Sequence, residues 1–150
     1  MGQAAYSGLD RLAAHASAEA VSLARTVLEQ DVSDAVWAAQ IGPALTQGDV
    51  ARLLNKTEQA VSKDPRLLRL RNRDGRPVYP VVQFDGRVQL AGVAEVVAAL
   101  CGPLEPLTAA SWLTSANAEL GGVAPAQALR GGELAAVTSA AARLAAAAAG

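Results

Sequence analysis

The chain has 150 residues, of which 51% are hydrophobic and 18% are charged, and its formal net charge is −1. This composition excludes a disordered chain and leaves room for one medium domain or two small ones. Aromatic residues make up only 3%, so the core must consist mainly of Ala, Leu and Val. No apolar run is long enough for a membrane span and the N-terminus lacks a secretory signal pattern, so we expect a cytoplasmic protein that does not contact a membrane.

The charges are unevenly distributed along the chain. Residues 52–87 carry nine basic and four acidic side chains, a net charge of +5, whereas residues 1–51 sum to −4 and residues 88–150 to −2. A concentrated basic segment in an acidic protein indicates a local surface for a polyanion. The alternative is an ordinary solvated surface region.

The first elements predicted along the chain are a helix over about residues 8–15 and a helical segment from Ser17 to about residue 41, which is either continuous or restarts at Ser33. Apolar residues recur there at helical spacing, and Gly42-Pro43 ends the second helix. We expect residues 7–41 to form a dimer surface, with the C-terminal helices as the second candidate for that role.

Two short helices joined by a tight turn are predicted next. Thr46 and Asp49 form a capping box, Asn55-Lys56 makes the turn, Thr57 caps the second helix, and Asp64-Pro65 ends it. The residues predicted to face inward are Val50, Leu53, Leu54, Ala60 and Val61.

A small β element follows these helices. Residues 68–71 alternate between apolar and basic, residues 72–75 form a turn, and residues 78–84 are rich in strand formers. Asp85-Gly86 predicts a second turn that leads to a short third strand near residues 87–89.

From Gly92 onward the pattern is helical again. Gly102-Pro103 breaks the first of these helices, Thr108 is predicted to cap the next one, and Pro125 and Glu133 begin two more. The residues predicted on the inner side of the first of these helices are Val93, Val96, Val97 and Leu100.

The segment from residue 46 to residue 65 has the parts of a helix-turn-helix, and a basic hairpin follows it directly. Its second helix would enter a major groove, where Gln59 suits an adenine edge and Lys63 suits guanine or phosphate. The hairpin would act as a wing that contacts flanking phosphates. The predicted DNA-binding residues are Thr57, Glu58, Gln59, Ser62, Lys63, Arg66, Arg69, Arg71, Arg73 and Arg76. A helical hairpin with a polar face is the structural alternative.

Two tracts carry a resemblance to a known family. YPVVQFDGRVQLAGVAEVVAAL, residues 79–100, and WLTSANAELGGVAPAQALRGGELAAV, residues 112–137, together resemble the Xre/MbcA/ParS-like antitoxin family. The toxin-binding domain of that family has the pattern W-L-x-x-x-N-x-x-L-x-G-x-x-P-x-x-x-L. The matching positions, which are the predicted partner-binding residues, are Trp112, Leu113, Asn117, Leu120, Gly122, Pro125 and Leu129.

The resemblance implies an antitoxin-like regulator. Family members pair a DNA-binding helix-turn-helix with a C-terminal helical domain, typically bind a RES-domain toxin that degrades NAD, and repress their own operon as dimers or larger oligomers. Here the front half is more similar to a winged helix than to the all-helical module of the family.

Residues able to carry enzymatic chemistry are few. His15 is the only histidine and Cys101 the only cysteine, and neither belongs to a set with the spacing of a metal site or a catalytic triad. Tyr79 and Phe84 lie on predicted strands, where packing in the core is the commoner role. We therefore expect no enzyme activity, no catalytic residue, no cofactor and no metal ion.

The sequence as a whole predicts a mainly α-helical fold with a small β-hairpin wing, in which a winged helix-turn-helix precedes a C-terminal helical bundle. The expected domains are residues 1–45, 46–90 and 91–150. The predicted function is an antitoxin-like transcriptional regulator that binds double-stranded DNA, represses its own operon, binds a RES-domain toxin and forms a homodimer. The alternatives are a protein-interaction module without sequence-specific DNA binding, and a stand-alone regulator without a toxin.

Overall fold

The structure is a computed structural model that describes residues 41–150. The two predicted N-terminal helices and His15 lie outside the described residues, as does the predicted dimer surface apart from Ile41. Within residues 41–150 the helices are α1 (Gln47–Leu54), α2 (Glu58–Lys63), α3 (Val93–Leu100), α4 (Pro106–Thr114), α5 (Pro125–Arg130) and α6 (Leu134–Ala149). The strands of the same part are β1 (Ala44–Thr46), β2 (Leu70–Arg71), β3 (Pro77–Pro80), β4 (Phe84–Asp85) and β5 (Val88–Gln89).

Helix α1 begins at the capping box that the sequence predicts. The Asp49 N–H donates to Thr46 Oγ1 at 3.1 Å, and the Thr46 N–H donates to Asp49 Oδ2 at 3.4 Å. The helix ends at Asn55, whose φ of 55° is left-handed, a conformation that asparagine tolerates better than most residues. Val50 and Leu53 are buried as predicted, and Leu54 is partly buried.

Helix α2 also begins where predicted, because the Ala60 N–H donates to Thr57 Oγ1 at 3.1 Å. It ends at the Asp64 cap. Val61 is buried, but the prediction that Ala60 faces inward was wrong, since Ala60 is exposed. Successive residues of a helix are rotated by about 100° around its axis. Because α2 has only six residues and contacts α1 along one narrow face, Val61 is buried there and Ala60 remains outside.

Strands β1, β3 and β2 form an antiparallel sheet in that spatial order. The sequence predicted β2 and β3 but not β1, which is only three residues long and has no alternating pattern of its own. The predicted strand over residues 78–84 stops at Pro80, which has no N–H to extend the ladder, and Val81–Gln83 form a 3₁₀ turn. The predicted third strand is β5, which pairs with β4 instead of joining the first sheet.

The two faces of this sheet belong to different parts of the described core. Leu45 pairs with Tyr79 in register and both lie in the cluster around α1 and α2, whereas Leu70 pairs with Val78 and both lie in the cluster with α3 to α6. The core of the C-terminal helices therefore crosses the domain boundary expected at residue 90.

The C-terminal helices pack around α3, whose four predicted inner residues are all buried. Helix α4 begins at Pro106, after Glu105, so the prediction that Thr108 caps it was wrong. Proline at the first turn fixes a helical φ and has no N–H to leave without a partner, which places the cap at Glu105 instead of Thr108, three residues earlier. Pro125 and Glu133 lie at the starts of α5 and α6 as predicted.

The described part of the chain is thus mainly helical with a small antiparallel sheet, in agreement with the predicted fold class at that level. None of the helices within residues 41–150 is both long and apolar enough to cross a membrane.

Gly92 joins the β elements to α3 and is required there for two reasons. Its φ of 95° is left-handed, and a Cβ at this position would lie 2.5 Å from Leu129 Cδ2 and 2.6 Å from Leu134 Cδ1. Leu134 is partly exposed and can move, but Leu129 is buried. Any side chain at residue 92 therefore displaces the core.

We expect Gly92→Ala to lower the free energy of unfolding by about 2–4 kcal/mol, because backbone strain and overpacking add. Gly132→Ala is the matched control, since Gly132 has a φ of 86° and no atom within 4 Å of its added Cβ. The control measures only the cost of placing a side chain on a left-handed backbone, about 1 kcal/mol. Urea denaturation measures both, and equal losses would contradict the packing argument.

Candidate nucleic-acid interface

The outward side of α2 carries the polar residues predicted to read DNA. Thr57, Glu58, Gln59 and Lys63 are exposed and Ser62 is half-buried. The Thr57 hydroxyl accepts the Ala60 N–H, and the Ser62 hydroxyl donates to the Gln59 carbonyl at 3.1 Å. These two hydroxyls therefore stabilise the helix itself.

Gln59 and Lys63 are the residues of α2 best placed to contact another molecule. They are four positions apart, so their side chains project from the same face of the helix, and both are exposed. An amide and an ammonium group side by side can contact base edges and a phosphate in one groove.

Arg66 follows α2 and binds a carboxylate of the same segment. Its Nε donates to Asp64 Oδ1 and its Nη2 to Asp64 Oδ2, each at 2.9 Å, and Lys56 Nζ lies 3.9 Å from Asp64 Oδ2. Hydrogen bonding from Arg66, the largest cause, lowers the pKa of Asp64. Asp64 offsets part of the positive charge of Arg66, so Arg66 is a weaker phosphate contact than its exposure suggests.

The predicted wing is the hairpin of β2 and β3. Its turn is held by Asn72, whose Oδ1 accepts the N–H groups of Asp74 and Arg76 at 3.0 Å each, and Gly75 adopts a φ of 80°. Arg73 and Arg76 are exposed at this turn. The four arginines predicted for the wing, Arg69, Arg71, Arg73 and Arg76, are all exposed.

Two of these arginines also bond to the main chain. Arg69 Nη1 donates to the Ser62 carbonyl in α2 at 2.8 Å, and Arg71 Nη1 donates to the Gly75 carbonyl at 2.9 Å. The first bond connects the wing to the last turn of α2, and the second stabilises the hairpin turn. Arg69 therefore bonds the segment before β2 directly to the last turn of α2.

Gln83 fixes the segment that connects α2 to the wing. It is fully buried, its Oε1 accepts the Leu68 N–H at 2.8 Å, and its Nε2 donates to the Leu68 carbonyl at 2.8 Å. Gln89 Nε2 donates to the Arg66 carbonyl at 2.7 Å. Sequence reasoning missed Gln83, although a glutamine within the apolar run from Val81 to Phe84 was a usable signal.

Three further basic residues lie around the helix-turn-helix but were not among the predicted contacts. Arg52, Lys56 and Arg87 are exposed, and Arg87 Nη2 donates to the Arg52 carbonyl at 3.2 Å. The charge count over residues 52–87 included them, but only the folded chain brings Arg87 to the end of α1.

The antitoxin-like pattern lies partly inside the core. Leu113, Pro125 and Leu129 are buried, Trp112, Asn117 and Leu120 are half-buried, and Gly122 is exposed.

Asn117 organises the turn within this pattern. Its Oδ1 accepts the Glu119 N–H at 2.9 Å, its carbonyl accepts the Gly122 N–H at 2.9 Å, and its own N–H donates to the Val123 carbonyl at 3.0 Å. Gly121 and Gly122 both adopt left-handed φ values of 73° and 86°. Much of the pattern is therefore explained by folding. Its solvent-accessible members are the half-buried Trp112, Asn117 and Leu120 and the exposed Gly122.

Two aromatic residues considered for chemistry pack in the interior, and Cys101 is half-buried. Tyr79 and Phe84 are fully buried, which confirms their predicted core role, and the Tyr79 hydroxyl donates to Gln47 Oε1 at 3.3 Å. Cys101 packs against the core, and burial raises the pKa of its thiol. No group of three His, Cys, Asp or Glu side chains able to hold a metal ion occurs among residues 41–150.

Comparison of the chain with family models, curated proteins and solved structures gave no match.

We expect Gln83→Met to lower the free energy of unfolding by about 2–4 kcal/mol, because it leaves the buried Leu68 N–H and carbonyl without partners. Gln89→Met is the matched control at a partly exposed position, since it removes the bonds to the Arg66 carbonyl and to Gln83 Oε1 at 3.4 Å but leaves both bonds between Gln83 and Leu68. The control should lose about 1 kcal/mol or less. Equal small losses in urea denaturation would show that the buried amide is not a structural constraint.

Proposed function

We propose that this protein is a cytoplasmic DNA-binding transcriptional regulator with a winged helix-turn-helix. The observation that carries the proposal is the arrangement of α2 and the hairpin. An exposed polar helix bears Gln59 and Lys63 on one face, and a hairpin bonded to its last turn through Arg69 presents Arg73 and Arg76 to solvent. This combination suits base contacts from the helix and phosphate contacts from the hairpin.

The topology supports the same proposal. In a winged helix a short strand precedes the helix-turn-helix, two further strands follow it, and the first strand pairs with the last. The order β1, β3, β2 with α1 and α2 between β1 and β2 has that form. Strands β1 and β3 pair with each other and both contact α1, while Arg73 and Arg76 at the hairpin turn are exposed.

Duplex DNA is the proposed nucleic acid because the surface offers cations and polar side chains but few rings for stacking. Single-strand binding relies on exposed aromatics, and Tyr79 and Phe84 are fully buried. The protein would act by occupying an operator as a homodimer, since paired half-sites raise the affinity of a single small recognition helix.

The test is the salt dependence of binding to a duplex from the upstream region of the gene. Arg73→Ala combined with Arg76→Ala should lower the slope of log affinity against log salt by about 2, because each phosphate contact contributes about 0.9. These two residues are chosen because Arg71 also holds the hairpin turn. Fluorescence anisotropy at several salt concentrations measures the slope.

Arg143→Ala is the control, because Arg143 is exposed on α6 and pairs with Glu119, away from α2 and the hairpin. Its slope should equal that of the unaltered protein. Failure of the unaltered protein to bind the duplex at low salt would reject the DNA-binding proposal and favour the interaction module.

We further propose that the C-terminal helices bind a partner protein, with a RES-domain toxin as the candidate from the antitoxin-like pattern. The observation that favours this role is Trp112. It packs against the core but is only half-buried, and tryptophan is enriched among the residues that contribute most to protein interfaces. A stand-alone regulator without a toxin remains the alternative.

If a RES-domain protein is encoded beside this chain, we expect Trp112→Ala to abolish its co-purification, while the variant still unfolds cooperatively and binds the operator duplex. Leu107→Ala is the matched control on the same helix, because Leu107 is exposed and lies outside the pattern. Loss of folding and of both binding activities in Trp112→Ala would assign Trp112 to the core alone.

A further inference from the structure

A cleft lies where the last turn of α2 meets the end of α3 and the start of α4. Its volume is about 320 Å³, at the lower end of the range for small-molecule sites, about 300–1,000 Å³. Residues 61–63 of α2 line it together with Val97 of α3, Cys101 just after α3, and Pro106 at the first turn of α4. The cleft thus connects the helix-turn-helix with the C-terminal helices.

The apolar lining of the cleft comes from both described clusters of the core. Val61, Leu67 and Tyr79 belong to the cluster around α1 and α2, whereas Val97 belongs to the cluster with α3 to α6. Each of these four residues is buried, and Leu67, the most accessible of them, has 6% of its surface exposed. The inner part of the cleft is therefore a space between two apolar clusters, where an apolar group can be removed from water.

Two cations form part of the solvent-facing lining of the cleft. Lys63 and Arg69 both line it and both are exposed. Arg69 Nη1 donates to the Ser62 carbonyl at 2.8 Å, which holds the guanidinium group against the last turn of α2. The same group lies near the Tyr79 hydroxyl, since burial raises the pKa of Tyr79 and Arg69 opposes that rise. The cleft thus combines an apolar inner part with an ammonium and a guanidinium group facing solvent.

Asp64 is the acidic side chain of the lining, and neighbouring cations offset its charge. Arg66 donates to both of its carboxylate oxygens at 2.9 Å, and Lys56 Nζ lies 3.9 Å from Oδ2. The charged residues of the lining and the partners of Asp64 together comprise four basic side chains and one acidic side chain. Glu105 precedes Pro106 at the start of α4, so the excess of positive charge lies on the α2 side of the cleft. An anionic group is favoured there.

We propose that this cleft is the binding site of a small organic carboxylate with an apolar body. The carboxylate binds Lys63 and Arg69, whose guanidinium fork matches its two oxygens. The apolar body lies against Val61, Leu67 and Val97. At about 30 Å³ for each molecule of liquid water, the cleft holds a ligand of about ten non-hydrogen atoms. This binding function goes beyond the proposed DNA binding and requires no DNA.

The experiment titrates the full chain with hydrocinnamate, an apolar carboxylate of the required size, and follows the backbone amide signals by NMR. The signals of Ser62 and Cys101 should shift with a Kd in the millimolar range, as for other ligands this small, while that of Thr138 on α6 should not. Hydrocinnamamide has the same shape without the charge and should bind about threefold more weakly. Absence of shifts at Ser62 and Cys101, as expected if the cleft is a packing gap or is filled by another segment of the chain, overturns the proposal. Equal affinity for the acid and the amide also overturns it.

A pair of variants tests where the carboxylate binds. Lys63→Gln should raise the Kd for hydrocinnamate about two- to fivefold, the effect of one solvent-exposed ion pair, and should leave the Kd for hydrocinnamamide unchanged. Arg143→Gln removes the same charge from α6 and is the matched control, with both Kd values unchanged. Equal Kd values for hydrocinnamate in the two variants overturn the proposal. None of these measurements contains DNA, so their outcome is separate from that of the proposed DNA binding.

Discussion

The described fold depends on one buried amide. Gln83 replaces a strand partner for Leu68 by accepting its N–H and donating to its carbonyl, both at 2.8 Å, and it also donates to the Pro80 carbonyl at 3.2 Å. Main-chain groups buried without partners are costly, so the chain between α2 and the wing can be interior only because this side chain satisfies it. Together with the bond from Arg69 to the Ser62 carbonyl, that contact holds the β2–β3 hairpin beside α2.

The sheet is the second constraint, because both of its faces are buried. Tyr79 faces α1 and α2, and its neighbour Val78 faces the C-terminal helices, as expected for successive residues of a strand. The core residues behind the proposed DNA surface and those behind the proposed partner surface therefore meet at one small sheet. The two proposed surfaces share no residues, so one molecule can carry both functions.

Arg130, the last residue of α5, connects the C-terminal helices to the segment from Val82 to Phe84. Its Nη2 donates to the carbonyls of Val82 at 3.0 Å and Phe84 at 3.2 Å, and burial lowers the pKa of its guanidinium group. An arginine remains charged even so, and charged donors make stronger hydrogen bonds than neutral ones. The 3₁₀ turn and the start of the β4–β5 hairpin are thus held between Arg130 and the Gln83 contact.

The sequence by itself determined the elements that begin or turn at hydrogen bonds between residues a few positions apart. The capping box of Thr46 and Asp49, the Thr57 cap and the turn at Asn72 are bonds over two to four positions, and the apolar spacing of α3 marks its inner face without further information. The charge count likewise identified the basic segment.

Tertiary structure alone decided the contacts between distant residues. Strand β1 exists because β3 pairs with it, Gln83 meets Leu68 across 15 positions, and Arg87 meets Arg52 across 35. The same holds for the antitoxin-like pattern, where packing assigns Leu113 and Leu129 to the interior and leaves part of Trp112 outside. A linear pattern records residue type and spacing, but burial and long-range hydrogen bonds depend on which segments pack together, and that is fixed only when the whole core forms.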